Sequence, residues 1–247
     1  MTPLPSLIDE IEDALDSATE EQRNAALWRI TDLFIAGADN YSEEHVSLFD
    51  DVIARLAATI EKNARAKLSS RLARIPNAPI GLIRTLAADN DITVAQPVLR
   101  HSQRLDDGYL AVTAATQSQQ HLLAIAQRHA LSETVTDVLV ERGDRDVVRS
   151  VAQNGGARFS NSAFRMLVER SVGDDVLALH VGTRHDLPRQ HLLKLVERAS
   201  AAVRQKLAAA DPSSAGAIRD VVAEIDGSIR AASRRASNDW KPHRNEY

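Results

Sequence analysis

Between residues 79 and 198 apolar side chains recur at i, i+3 and i+4 in short runs, which is one face of an α-helix and not the alternation of a strand. The runs themselves repeat. Leu-Val-Glu-Arg occurs at 139–142, 167–170 and 195–198, with a spacing of 28 residues both times. Seven residues ahead of each copy stands a helix-start residue, Ser132, Ser160 or Pro188. Looser copies begin at Asp106 and Pro79, so the starts fall at 79, 106, 132, 160 and 188. Three aligned columns then form one buried stripe: Ile83, Leu110, Thr136, Phe164 and Leu192; Leu86, Thr113, Leu139, Leu167 and Leu195; Ala87, Ala114, Val140, Val168 and Val196.

A second, shorter helix is expected ahead of each of these. Asp91, Ser118, Asp144 and either Asp174 or Asp175 mark its starts, where an acceptor side chain suits the free N–H groups of the first turn. Pro97 lies inside one of them and is expected to kink it. Each unit of about 28 residues therefore reads as helix, turn, helix. Neither helix can bury its apolar face alone, so the units must stack. The expected fold is all-α: an α-solenoid of antiparallel, HEAT-like helix pairs over residues 63–225, with an acidic helical cap over 1–62 and a basic, flexible tail over 226–247. In the cap, residues 7–16 suggest a short helix. Thr19 and Gln22 form a capping box ahead of a second helix reaching about Ala36, Gly37–Tyr41 reads as a loop, and Ser42 opens a third helix continuing to about Ala73. The break at Pro76–Pro79 follows, and a last pair is expected at Ala201–Ala210 and Ile218–Ile225.

Composition adds three constraints. Aromatic residues are only 4% of the chain, so Ala, Leu, Val and Ile supply the apolar mass. There is no cysteine, which excludes disulfides and thiolate metal sites. No apolar run reaches the roughly 18–20 residues that span a bilayer, and the first residues lack the basic and apolar regions of a signal peptide. A cytoplasmic location and no membrane partner are expected. The net charge of −4 is unevenly spread: residues 1–62 hold 14 acids and 4 bases, whereas residues 63–225 hold 17 acids and 21 bases. Such blocks can complement each other, repel nucleic acid, or simply be solvated.

Several spaced motifs agree in order with a known family. They are Arg71-Leu72-Ala73, Pro76-Asn77-Ala78-Pro79, Leu86-Ala87, Val94 to Leu99, Ile125 to Arg128, Val151 to Ala157, and Arg184 to Pro188. Over roughly residues 40–200 the chain resembles an uncharacterised bacterial family, best known from α-proteobacteria, that is defined only as a domain of unknown function. In layout it is similar to HEAT-like repeat proteins. The resemblance implies a scaffold for binding and brings no activity or catalytic residues.

The residues offer little catalytic chemistry. His180, His185 and His191 are spaced by five and six, not the four that sets two ligands on one helical face, so no metal site is assigned, and His121 with His129 is judged likewise. Ser132 and Ser160 are accounted for as caps, and the adjacent carboxylates Asp50-Asp51, Asp106-Asp107 and Asp174-Asp175 as helix starts or solvated faces. No catalytic residue and no cofactor are expected. The turns within the units are richer, carrying Arg128 and His129, Asn154 and Arg158, and Arg184 and His185. Stacking would align these six along one edge, where arginine forks could take the carboxylates of a partner protein's acidic segment. The structural alternative is that the arginines cap the preceding helix. The Glu141, Glu169, Glu197 and Arg142, Arg170, Arg198 columns read as a solvated charge ladder.

A non-enzymatic protein-interaction scaffold, serving bacterial regulation, is the leading expectation. The alternative is a HEAT-like nucleic-acid protein, including the alkyl-base glycosylase type. It is favoured by the basic body and disfavoured by the acidic front end, a pI near 6.1 and the lack of tryptophans within the repeats, Trp28 and Trp240 lying outside them.

Overall fold

Helix starts are where this sequence is most explicit, and the computed structural model places helices behind nearly all of them. It describes residues 19–210 and, beyond them, only positions 216, 219–220, 222–224 and 227. The expected helix over 7–16 lies outside the described residues, as does the expected tail over 226–247 apart from position 227; of the helix expected at Ile218–Ile225, positions 219–220 and 222–224 are described and are helical. From Thr19 to Ala210 the chain forms thirteen α-helices and one 3-10 turn. They are α1 (Glu20–Gly37), the 3-10 turn Ala38–Asn40, α2 (Glu43–Ala58), α3 (Lys62–Leu72), α4 (Ile80–Ala87), α5 (Ile92–His101), α6 (Asp107–Thr116) and α7 (Gln119–Ala126). The rest are α8 (Glu133–Arg142), α9 (Arg145–Gln153), α10 (Asn161–Arg170), α11 (Asp175–Gly182), α12 (Arg189–Arg198) and α13 (Ala201–Ala210). The protein is all-α among the described residues. Its one extended pairing is an isolated parallel bridge between Leu131 and Ala157.

Side-chain caps hold most of the starts. Thr19 and Gln22 complete the capping box, and Ser42, Asp91, Asp106, Asp144 and Ser160 each accept from a first-turn N–H. Asp174, not Asp175, caps α11 by accepting from the Leu177 N–H at 3.0 Å. Ser132 does not cap: its hydroxyl is buried without a partner, and α8 begins without a side-chain bond. Three further expectations are corrected. Gly37–Tyr41 is mostly a 3-10 turn, the helix begun at Ser42 breaks around Ile60 before α3, and α5 runs through Pro97 to ten residues, as many as the α6 it precedes. The first helix of a unit is therefore not uniformly the shorter one.

Packing follows the columns. Fourteen of the fifteen stripe residues are buried, Leu192 being partly so. The two polar ones bond inward, Thr113 to the Tyr109 carbonyl at 2.8 Å and Thr136 to the Arg158 carbonyl at 2.6 Å, which removes the cost of burying a hydroxyl. The helices lie in two rows. In one, α3, α5, α7, α9, α11 and α13 each pack on the next; in the other, α2 packs on α4, and α6, α8, α10 and α12 pack in turn. One continuous core of Leu, Val, Ile and Ala runs between the rows. Where row neighbours come closest, small residues make room: a Cβ on Gly182 would stand 2.7 Å from Leu207 Cδ2.

The acidic front end is bound to the body by charge. Asp32 pairs with Arg71, Glu43 with both Nη atoms of Arg104, and Asp50 accepts from the Gly81 and Leu82 N–H groups at 2.7 Å, capping α4. Of the meanings open to the charge blocks, complementarity thus applies at these contacts. Among the described residues no helix is long and apolar enough to cross a membrane.

Candidate functional site

The chain leaves the first helix of each later unit through a turn whose polar side chains reach back to the unit before. Arg128, just beyond α7, donates from Nη1 to the Leu99 carbonyl at 2.6 Å and from Nη2 to the Ser102 carbonyl at 2.8 Å, at the end of α5. Asn154, beyond α9, donates to the Ala126 and Arg128 carbonyls at 3.1 and 2.6 Å, at the end of α7. Arg184, beyond α11, donates to the carbonyls of Ala152, Asn154 and Ala157, pairs with Asp186, and lies 4.6 Å over the Phe159 ring. Its side chain is only 6% exposed. Last-turn carbonyls carry the negative end of the helix dipole and lack intrahelical donors, so a guanidinium satisfies both needs. Burial lowers the proton affinity of Arg128, with the charge of Asp107 opposing that shift.

The expected row of turns therefore exists, but the forks of Arg128 and Arg184 and the amide of Asn154 are engaged within the protein. Their neighbours are not. His129, Arg158 and His185 are exposed. Arg158 contributes its backbone, donating to the Leu131 carbonyl and accepting from Thr136. Gly156 makes this junction possible, because a Cβ there would meet the His129 carbonyl oxygen at 1.9 Å. The charge-ladder reading of Arg142 and Arg170 is corrected in the same sense. Arg142 donates to the Ala114 carbonyl, and Arg170 to those of Val140 and Gly143 at 2.5 and 2.6 Å.

Beside these turns runs an open groove made of four linked depressions. The two largest, about 720 and 690 Å³, share Arg100, Gln127, Arg128 and His129. One end continues into a 300 Å³ depression through Arg74, Arg100 and His101, and the other into one of 170 Å³ through Gln153 and Gly155, ending at His185. No Asp or Glu lines any of the four. Five of the six residues expected to bind a partner line the groove, and Arg158 does not. Towards one end of it Arg74 Nη2 stands 3.5 Å from His101 Nε2, and Arg100 lines the same two depressions. Burial lowers the proton affinity of His101, and the charges of Arg74, Arg100 and Arg128 lower it further.

A family model described as an uncharacterised protein conserved in bacteria, DUF2336, matches residues 94–244. The chain belongs to this family. No curated protein and no solved structure matches it. The DUF2336 match begins within α5 and takes in Arg100, His101 and every expected binding residue; the similar motifs at Arg71–Pro79 and Leu86-Ala87 precede it.

Elsewhere the DUF2336 chain uses its reactive side chains structurally. His121 is buried between the Ser118 hydroxyl and the Asp89 carbonyl, and His191 between Asn161 Oδ1 and the Phe164 ring. Burial lowers the proton affinity of His191, as do Lys194 and Arg165. Among the described residues no three His, Asp or Glu side chains converge as a metal site would require. Ser160 is spent on Asp137 and on capping Ala163. The groove residues that the sequence reading missed are Arg74, Arg100 and His101. A signal was present: Arg-His at 100–101 stands 28 residues before Arg-His at 128–129, and the same dipeptide returns at 184–185.

Proposed function

We propose that this protein is a cytoplasmic, non-enzymatic interaction module, an α-solenoid of HEAT-like helix pairs that holds an acidic segment of a partner protein along the groove beside its turns. The observation that carries the reading is a groove crossing five successive helices of one row, α3 to α11, with Arg74, Arg100, His101, His129 and His185 on its walls and no carboxylate among them. Extended surfaces of stacked helix pairs are what repeat proteins use to hold partners, and a one-sign lining favours an opposite-sign ligand and speeds its encounter. The arginines engaged as caps shape the groove, and the unpaired ones hold the ligand.

A phosphate backbone would also answer to positive charge, which keeps a nucleic-acid reading in second place. Against it, Trp28, on α1, is covered by Lys67 and Arg71 at 4.9 and 5.7 Å, and among the described residues no tryptophan lines the groove for base stacking. Fluorescence anisotropy separates the readings. A labelled glutamate-rich peptide should bind, its glutamine counterpart should not, and the affinity should fall as salt rises. Equal binding of the two peptides would refute the proposal. An oligonucleotide that outcompetes the acidic peptide would favour the second reading.

A further inference from the structure

In the same stretch of chain Arg65, Arg71, Arg84 and Arg104 each face an acid: Asp89, Asp32, Asp106 and Glu43. Among the described residues Arg74 and Arg100 face none. Both are exposed, both line the same two depressions, and the only polar neighbour bonded to either is His101, which is itself a base. Behind them the Arg128 guanidinium, fixed on the Leu99 and Ser102 carbonyls, adds a charge that cannot move away. Two forks without an acid partner, an imidazole and a half-buried cation thus line one depression with no carboxylate among the described residues. Like charges held together cost free energy until an anion joins them.

The geometry selects among anions. A carboxylate carries one charge and is satisfied by a single fork. A phosphate monoester carries between one and a half and two charges and presents three acceptor oxygens, so it engages two forks and a ring N–H at once. We infer that the Arg74–Arg100–His101 depression binds a phosphorylated side chain of the partner segment, making recognition depend on that modification. This rests on the reading of the groove as a cradle for an anionic protein segment, and it adds where the strongest anchor lies and what it is.

The test uses the full chain and three labelled peptides of otherwise neutral sequence with phosphoserine, glutamate or serine at the centre. The phosphoserine peptide should bind at least tenfold more tightly than the glutamate one, and inorganic phosphate at millimolar concentration should displace it. Arg74→Ala and Arg100→Ala should each weaken it tenfold or more while moving the melting temperature little, since both side chains are exposed and neither is bonded to an acid among the described residues. Arg158→Ala, outside the groove, should leave it unchanged. Phosphoserine and glutamate peptides binding within threefold of each other would overturn the phosphate assignment while leaving the acidic-segment reading in place. Tight phosphopeptide binding that survives both arginine variants would overturn the site. Failure of phosphoserine, glutamate and glutamate-rich peptides alike would overturn this inference and the proposed function together.

Discussion

Arg184→Ala separates a residue that builds the groove from one that serves it. The Arg184 side chain is 6% exposed, donates to three carbonyls at 2.7–3.2 Å, pairs with Asp186 at 2.8 Å, and covers Phe159. A hydrogen bond to a charged group contributes about 1.5–3 kcal/mol. The three bonds share one guanidinium, and water reaches the freed carbonyls at this surface turn, so they do not add in full. The Asp186 pair, whose acid is about one-third exposed, adds at most about 1 kcal/mol. The expected loss is about 2–4 kcal/mol, which for a domain of this size lowers the melting temperature by roughly 5–12 °C. Arg100→Ala removes an exposed side chain with no partner and should stay within about 0.5 kcal/mol of wild type. Circular dichroism melts of the two variants, with peptide anisotropy at 20 °C on the same samples, give the comparison. Arg184→Ala should melt early and still bind, whereas Arg100→Ala should melt normally and bind poorly. An Arg184→Ala protein that melts with wild type and loses binding would refute the assignment of the turn arginines as caps.

Three further outcomes are expected. Leu167→Ala, at a fully buried position of the central column, should cost about 2–5 kcal/mol by urea denaturation, and Arg170→Ala about 1–2 kcal/mol, because its fork holds the Val140 and Gly143 carbonyls. Burial pushes the Asp174 carboxyl up, but the bonds it accepts from Arg149, Arg145 and the Leu177 N–H outweigh that and hold it well below the usual carboxylate range. Its folded-state affinity for protons is thus lower than in the unfolded chain, so its contribution is complete above about pH 4 and is lost on further acidification. Asp174→Asn should cost about 1–3 kcal/mol at pH 7, and its melting temperature should converge on that of wild type as the pH falls towards 2. Gly156→Ala forces a Cβ against the His129 carbonyl and should cost about 1–3 kcal/mol, with faster hydrogen exchange at the Leu131 and Arg158 amides, whose bonds close that junction.

What could be read from the sequence were the features set by neighbours in the chain. Apolar columns at i, i+3 and i+4 and acceptors ahead of them depend on local geometry, so Asp106, Asp144, Ser160 and the residues behind them fall where the pattern puts them. Ser132 fits the same pattern yet leaves its hydroxyl unused: the chain before it is held by the Leu131–Ala157 bridge, and Thr136, one turn into the same helix, bonds the Arg158 carbonyl instead, contacts made with a segment more than twenty residues later. Arg142 and Arg170 sit at exposed helical positions and look solvated from their own helix; their acceptors belong to the neighbouring helix of the row, about 28 residues earlier. The candidate site divides in the same way. Recurrence brought out Arg128 and Arg184, which recur because every unit needs its preceding helix capped. Arg100 shares the Arg-His spacing with them, but Arg74 does not, and what sets both apart is the lack of an acid beside them among the described residues, a property of space and not of spacing.

The carbonyls that Arg128, Arg142, Asn154, Arg170 and Arg184 bond all belong to an earlier unit; apart from the local pair of Arg184 with Asp186, none of the five side chains donates forward. That gives the molecule a polarity in time. A chain made from its N-terminus exposes each unit's acceptors before the donor that will close on them has been synthesised, so each arriving turn finds its landing place already built. For these five, removing units from the C-terminal side leaves helix-end carbonyls to be taken up by water, while removing them from the N-terminal side strands donors whose acceptors no longer exist; Arg145 and Arg149, which reach forward to Asp174, run the other way. Growth one unit at a time, in the direction of translation, is therefore the order of assembly that this wiring favours.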